Sequence, residues 1–76
     1  MLQDIILEVL SDYVEFEDGQ LTPETHLVKD LELSSYDRIC LMGDLERRLG
    51  VEVPEERIAR LSTLGDVADL LVELKA

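Results

Sequence analysis

Leu33-Ser34-Ser35-Tyr36-Asp37 stands where a long loop gives way to an amphipathic run, Ile39 to Leu49. Adjacent hydroxyls at a helix start, with an acid three residues after the first, form a capping pattern: Ser34 as N-cap and Asp37 at N3 come close to a capping box. Ser35 is then the first helical residue, in a turn whose backbone N–H groups lack intrahelical acceptors. Such a terminus favours negative charge, so a phosphate ester on Ser35 would meet partial positive charge and free donors. A serine at a helix start is most often only a cap, and capping alone accounts for Ser34.

Downstream, the pattern predicts a helix from Ser35 or Tyr36 to Leu49, with Ile39, Met42, Leu45 and Leu49 as its core stripe and Leu41 beside it. Gly50 follows at once, as a glycine beyond a helix end does. Val51-Glu52-Val53 reads as extended, because Pro54 disfavours helix at the residue before it. Pro54 then opens a short helix over about 55–61 that offers Ile58 and Leu61. Thr63 and Asp66 make a second capping pair and start a last helix, with Val67, Leu70, Leu71 and Leu74 on its buried face.

Upstream, Leu2, Ile5, Ile6, Val9, Leu10, Tyr13 and Val14 follow helical spacing and predict a helix over 2–16, with Gly19 as its left-handed exit. Residues 17–33 form a connection longer than most helix–helix loops. Thr22-Pro23-Glu24-Thr25 predicts one short helical turn in it, a cap followed by Pro at N1. Leu21, Leu27, Val28, Leu31 and Leu33 are expected to lash the loop across the bundle. The acids Glu15, Glu17 and Asp18 do not have the spacing of a calcium loop. The expected fold is all-α: a small antiparallel bundle of three main helices plus one short helix, with a long first loop, in one domain over 1–76.

Composition narrows the chemistry. Eighteen acids against seven bases give −11, which argues against nucleic acid, since binding a phosphate backbone needs a basic surface. The charge is uneven: residues 1–37 hold ten acids and one lysine, whereas residues 38–60 are neutral. No apolar run is long enough to span a membrane, and no signal peptide is visible. The lone cysteine, Cys40, cannot form an internal disulfide; a cytoplasmic monomer is expected. His26 lies on the loop with nothing to place it beside Cys40 or Ser35, and no His/Cys cluster suits a metal. Neither a catalytic nor a metal-binding residue is expected, and the chain is read as a non-enzyme.

Asp30-Leu31-Glu32-Leu33-Ser34-Ser35-Tyr36-Asp37, then Leu45-Glu46, Val53-Pro54 and Thr63-Leu64-Gly65-Asp66 resemble the acyl carrier proteins. Their pattern runs D-L-G-x-D-S-L-D, L-E, I-P and T-V-G-D at the same spacings, and the resemblance covers essentially the whole chain. It implies that a phosphopantetheinyl transferase moves 4′-phosphopantetheine from coenzyme A to Ser35. The arm's thiol would then hold acyl groups as thioesters, with acyl-transfer and synthase enzymes as partners. Fatty-acid biosynthesis is the default pathway. A specialised carrier for polyketide, aminoacyl or peptidyl cargo, or an unmodified carrier-like interaction module, are the alternatives.

The sequence departs from that pattern in places that bear on recognition. Glu32 replaces a Gly, Ser34 the Asp before the modified Ser, and Tyr36 the Leu after it. Tyr36, Asp37, Arg38, Cys40, Asp44 and Arg47 are the expected partner-binding residues, and Cys40 and Arg47 stand where acids are common in the family. Asp44 and Arg48 have the spacing of an i, i+4 ion pair, which would neutralise this face within the helix. Loss of acidic character would also redirect partner choice.

Overall fold

The computed structural model describes residues 2–17 and 19–75; Asp18, expected in the acidic cluster of the loop, lies outside the described residues. Its elements are α1 (Leu2–Leu10), α2 (Ser35–Leu49), α3 (Glu55–Ile58) and α4 (Leu64–Lys75). α2 packs against α1 and α3, and α1 also packs against α4. The core is aliphatic: Leu10, Leu45, Val67 and Leu71 are wholly buried, and Leu27 reaches them from the loop. The all-α bundle with a long first connection is the architecture the periodicity predicts.

α1 is shorter than its apolar pattern suggests. It ends at Leu10 rather than near residue 16. The Ser11 hydroxyl donates to the Glu8 carbonyl at 2.6 Å, and Asp12 and Tyr13 bond back three residues, to Val9 and Leu10. The chain therefore tightens into turns where the dipole disfavours Asp12. Tyr13 and Val14 still pack on the core although they are not helical. Gly19 has a positive φ of 79°, but in a separate turn and not at a helix exit.

The loop is built differently from expectation. At Thr22–Thr25 the Thr25 amide donates to the Thr22 carbonyl, three residues back, so Pro23 sits in a β-turn and not in a helical turn. A second turn covers 27–31, and His26 caps it. Its Nδ1 accepts from the amides of Val28 and Lys29 at 3.1 and 3.0 Å, while Asp30 accepts from the His26 amide at 2.7 Å. Leu27 and Leu33 are buried and Leu21 and Leu31 pack beside them, whereas Val28 faces outward.

Backbone bonds then stitch the loop to the start of α4. Leu27 donates to Ser62, Leu64 to Thr25, and Gly65 to Pro23, at 2.8–3.0 Å. Gly65 is needed for that approach: a Cβ there would lie 3.0 Å from the Pro23 carbonyl oxygen. Thr63 and Asp66 cap α4 as expected, each accepting the other's amide hydrogen.

On α2 the buried residues are Leu41, Met42 and Leu45, with Leu49 partly covered, and Ile39 is half exposed at 50%. The stripe therefore runs through 38, 41, 42, 45 and 49, one residue off the expected start at 39. Leu74 of α4 is likewise only partly buried, and Leu64 joins the core in its place. Gly50 closes α2 in the left-handed conformation, φ 68° and ψ 36°, its amide on the Glu46 carbonyl. The Glu46 side chain accepts from Val53, and Lys75 donates to the Leu49 carbonyl, so the end of α2 is held from both following segments. α3 is a single turn and stops at Ile58, three residues early, although Ile58 and Leu61 are both buried.

Candidate functional site

The N-terminus of α2 has the geometry expected of it. Ser34, extended at φ −76° and ψ 170°, accepts from the Asp37 amide at 3.0 Å, and Asp37 accepts from the Ser34 amide at 3.2 Å. Ser35 is the first helical residue and is exposed. With the Asp37 amide taken by Ser34, the amides of Ser35 and Tyr36 have no acceptor among the described residues. One side chain reaches the Ser35 hydroxyl: Arg38 Nη2 donates to Ser35 Oγ at 3.3 Å.

The residues expected to meet partners fall on different faces. Tyr36, Cys40 and Arg47 share the outward face, with Tyr36 and the Arg47 side chain each 74% exposed. A hydrogen bond with Cys40 is the main cause that pushes the Tyr36 phenol above its usual range. Asp44 turns toward the segment that follows α1, where Tyr13 Oη donates to it at 2.5 Å, and Arg47 bonds the same carboxylate. Burial, first of several causes, raises the Tyr13 phenol as well. Asp44 therefore pairs with Arg47 and not with Arg48, which instead meets Glu8 of α1 at 3.1 Å. Arg38 takes the inner stripe, one turn before Leu41 and Met42, and its Nε is buried without a hydrogen-bond partner.

Two features here escaped sequence reasoning. The Ser35–Arg38 bond had a signal, the i, i+3 spacing. The Tyr13–Asp44 bond, across 31 residues, had none. His26, expected away from Ser35 and Cys40, is engaged as the cap of the loop turn. Among the described residues no group of His, Cys, Asp and Glu is arranged to hold a metal ion, and no helix is long and apolar enough to cross a membrane. An apolar cleft of about 320 Å³ lies between α1, the loop and α4, lined by Leu2, Ile6, Leu21, Pro23, Leu64 and Ala68 among others, with no residue of α2.

A family model described as a phosphopantetheine attachment site matches residues 4–71. Among curated relatives, the acyl carrier protein of Rubrobacter xylanophilus is 32% identical over 90% of this chain and 84% of its own length. That of Helicobacter pylori strain G27 is 34% identical over 92% of this chain and 90% of its own. The chain belongs to the acyl carrier protein family. The group named by that family model is a phosphate ester of pantetheine, and the start of α2 suits a phosphodiester. An exposed hydroxyl, open amides at a helix N-terminus and a guanidinium with a buried, unmet N–H lie within one turn.

Proposed function

We propose that this chain carries acyl groups as thioesters on a 4′-phosphopantetheine arm attached through Ser35, with fatty-acid biosynthesis as its default pathway. The observation that carries the reading is the division of labour at the start of α2. Ser34 is consumed as the cap, and Ser35 is left exposed at the first helical position. A phosphopantetheinyl transferase is the first partner. It needs a reachable hydroxyl, and Asp37 is the carboxylate nearest in sequence to help present it. Ser35 displaces the adenosine bisphosphate from coenzyme A: its oxygen forms the new bond to phosphorus as the pyrophosphate bond breaks. No residue of this chain need act as a catalyst, in keeping with a carrier that presents its cargo to acyl-transfer and synthase enzymes.

The test is incubation with coenzyme A and a transferase, followed by intact-mass measurement. Wild type and Ser34→Ala gain one arm and Ser35→Ala gains none. Ser34→Ala also loses about 1 kcal/mol of stability with its cap. Modification that survives in Ser35→Ala refutes the assignment.

A specialised cargo is favoured by one further observation. The outward face of α2 presents Tyr36, Ile39 and Arg47, with Cys40 half-buried among them, and the carboxylate of Asp44 is held by Tyr13 and Arg47. A partner built for a uniformly acidic helix would find little to grip, so the expected complementary surface is itself mixed in sign.

A further inference from the structure

Arg38 is out of place at its position in α2. It is the fourth residue of α2, where the dipole disfavours a cation. It also shares the stripe that continues into Leu41, Met42 and Leu45, and it is half-buried there. Arg47, Arg48 and Arg57 each have a carboxylate partner, whereas the half-buried Arg38, like the exposed Arg60, has none among the described residues. Among the described residues its side chain makes one hydrogen bond, to a neutral hydroxyl, that of Ser35, and its Nε–H is buried with nothing to meet it. A buried cationic N–H left unmet is costly and needs a reason.

We infer that Arg38 is the clamp for the phosphodiester of the arm on Ser35, an assignment that rests on the reading of Ser35 above. The Arg38 guanidinium already donates to Ser35 Oγ, the oxygen through which the phosphorus would be bonded. A phosphodiester brings one negative charge and two non-bridging oxygens to that point. Guanidinium is planar, always charged and suited to phosphate oxygens, and the bond it makes is charge-assisted. The added charge would otherwise enter a chain that already carries −11, beside Asp37 and Glu32. Arg38 is the nearest cation in sequence, and the open amides of Ser35 and Tyr36 complete the cradle. The root of the arm is thereby tied to α2, and the flexible part begins beyond the phosphate.

The experiment compares the full chain before and after loading, with intact mass as proof of loading. Arginine Nε–H signals are followed by ¹⁵N NMR, and the Arg38 signal is assigned by its loss in Arg38→Lys. On loading, that signal moves downfield and its exchange with water slows about tenfold or more, the factor that a charge-assisted hydrogen bond supplies. Wild type gains melting temperature on loading. Arg38→Met, which keeps the stem, loses that gain, and Arg38→Lys retains part of it. A loaded protein whose Arg38 signal is unchanged overturns the clamp and leaves the carrier reading intact. So does an Arg38→Met variant that gains as much as wild type. Absence of any mass gain in wild type removes both.

Discussion

Glu32 is the non-glycine residue with a positive φ, 56°, among the described residues. It closes the turn at 27–31: its amide donates to the Val28 carbonyl, as the Gly50 amide does to Glu46 at the end of α2. The acyl carrier pattern that the sequence resembles has Gly here, and the Glu32 backbone lies in the region that glycine enters at no steric cost. An L-residue in that region costs roughly 1–2 kcal/mol, and Gly's extra freedom when unfolded returns about 0.5–1 kcal/mol of that. Glu32→Gly should therefore stabilise by about 0.5–1 kcal/mol, a rise of a few degrees in melting temperature. A thermal melt that shows no rise would mean that the Glu32 side chain contributes a compensating contact.

Two helices make contrasting predictions at the scale of elements. At the start of α4, bonds from the Thr63 and Ser62 amides hold the Asp66 carboxyl below its ordinary value of 3.8. The folded state thus favours the carboxylate, and the stability it contributes is fully present above about pH 4. It is lost as pH falls through the depressed folded value. Asp66→Ala should be less stable than wild type near neutrality, with the gap narrowing below pH 4; chemical denaturation across pH 2–6 measures it. On α2, the outward face carries Arg47 and Cys40 where an acidic helix would carry acids. Opposed to a basic patch on a generic ketoacyl synthase or malonyl transferase, Arg47 turns attraction into repulsion. Arg47→Glu with Cys40→Glu should raise the loading rate by such enzymes about tenfold at low salt, within the range over which charge changes move association rates. If wild type already loads as fast as an acidic-helix carrier, the mixed surface has no part in partner choice.

The whole molecule is 29 by 25 by 20 Å, a few screening lengths across, and it carries −11. Two exposed pairs between helices, Glu8–Arg48 and Arg57–Glu73, oppose this repulsion, but pairs of that kind contribute only about 0–1 kcal/mol each. Salt weakens both effects, and the excess of negative charge decides the sign. Melting temperature should rise with sodium chloride up to a few hundred millimolar and more steeply with divalent cations. A melt insensitive to ionic strength would show that the charges are compensated where they stand.

What the sequence by itself determined were the features that depend on neighbours within one turn. The caps of Ser34 with Asp37 and Thr63 with Asp66, the left-handed Gly50 and the span of α2 all rest on contacts among residues three or four apart. The family pattern around Ser35 was legible for the same reason. Tertiary packing decided the rest. Tyr13 bonds Asp44 across the bundle, and α1 ends before it although the apolar spacing continues. The loop folds onto residues 62–65 by backbone bonds that carry no side-chain signature, so Thr22–Thr25 closed as a β-turn and a second turn formed at 27–31 with His26 as its cap. Periodicity shows that a helix has an apolar face; only the partner helices decide where that face is centred. On α2 they centred it on a line that exposes Ile39 and draws Arg38 inward, beside the hydroxyl of Ser35.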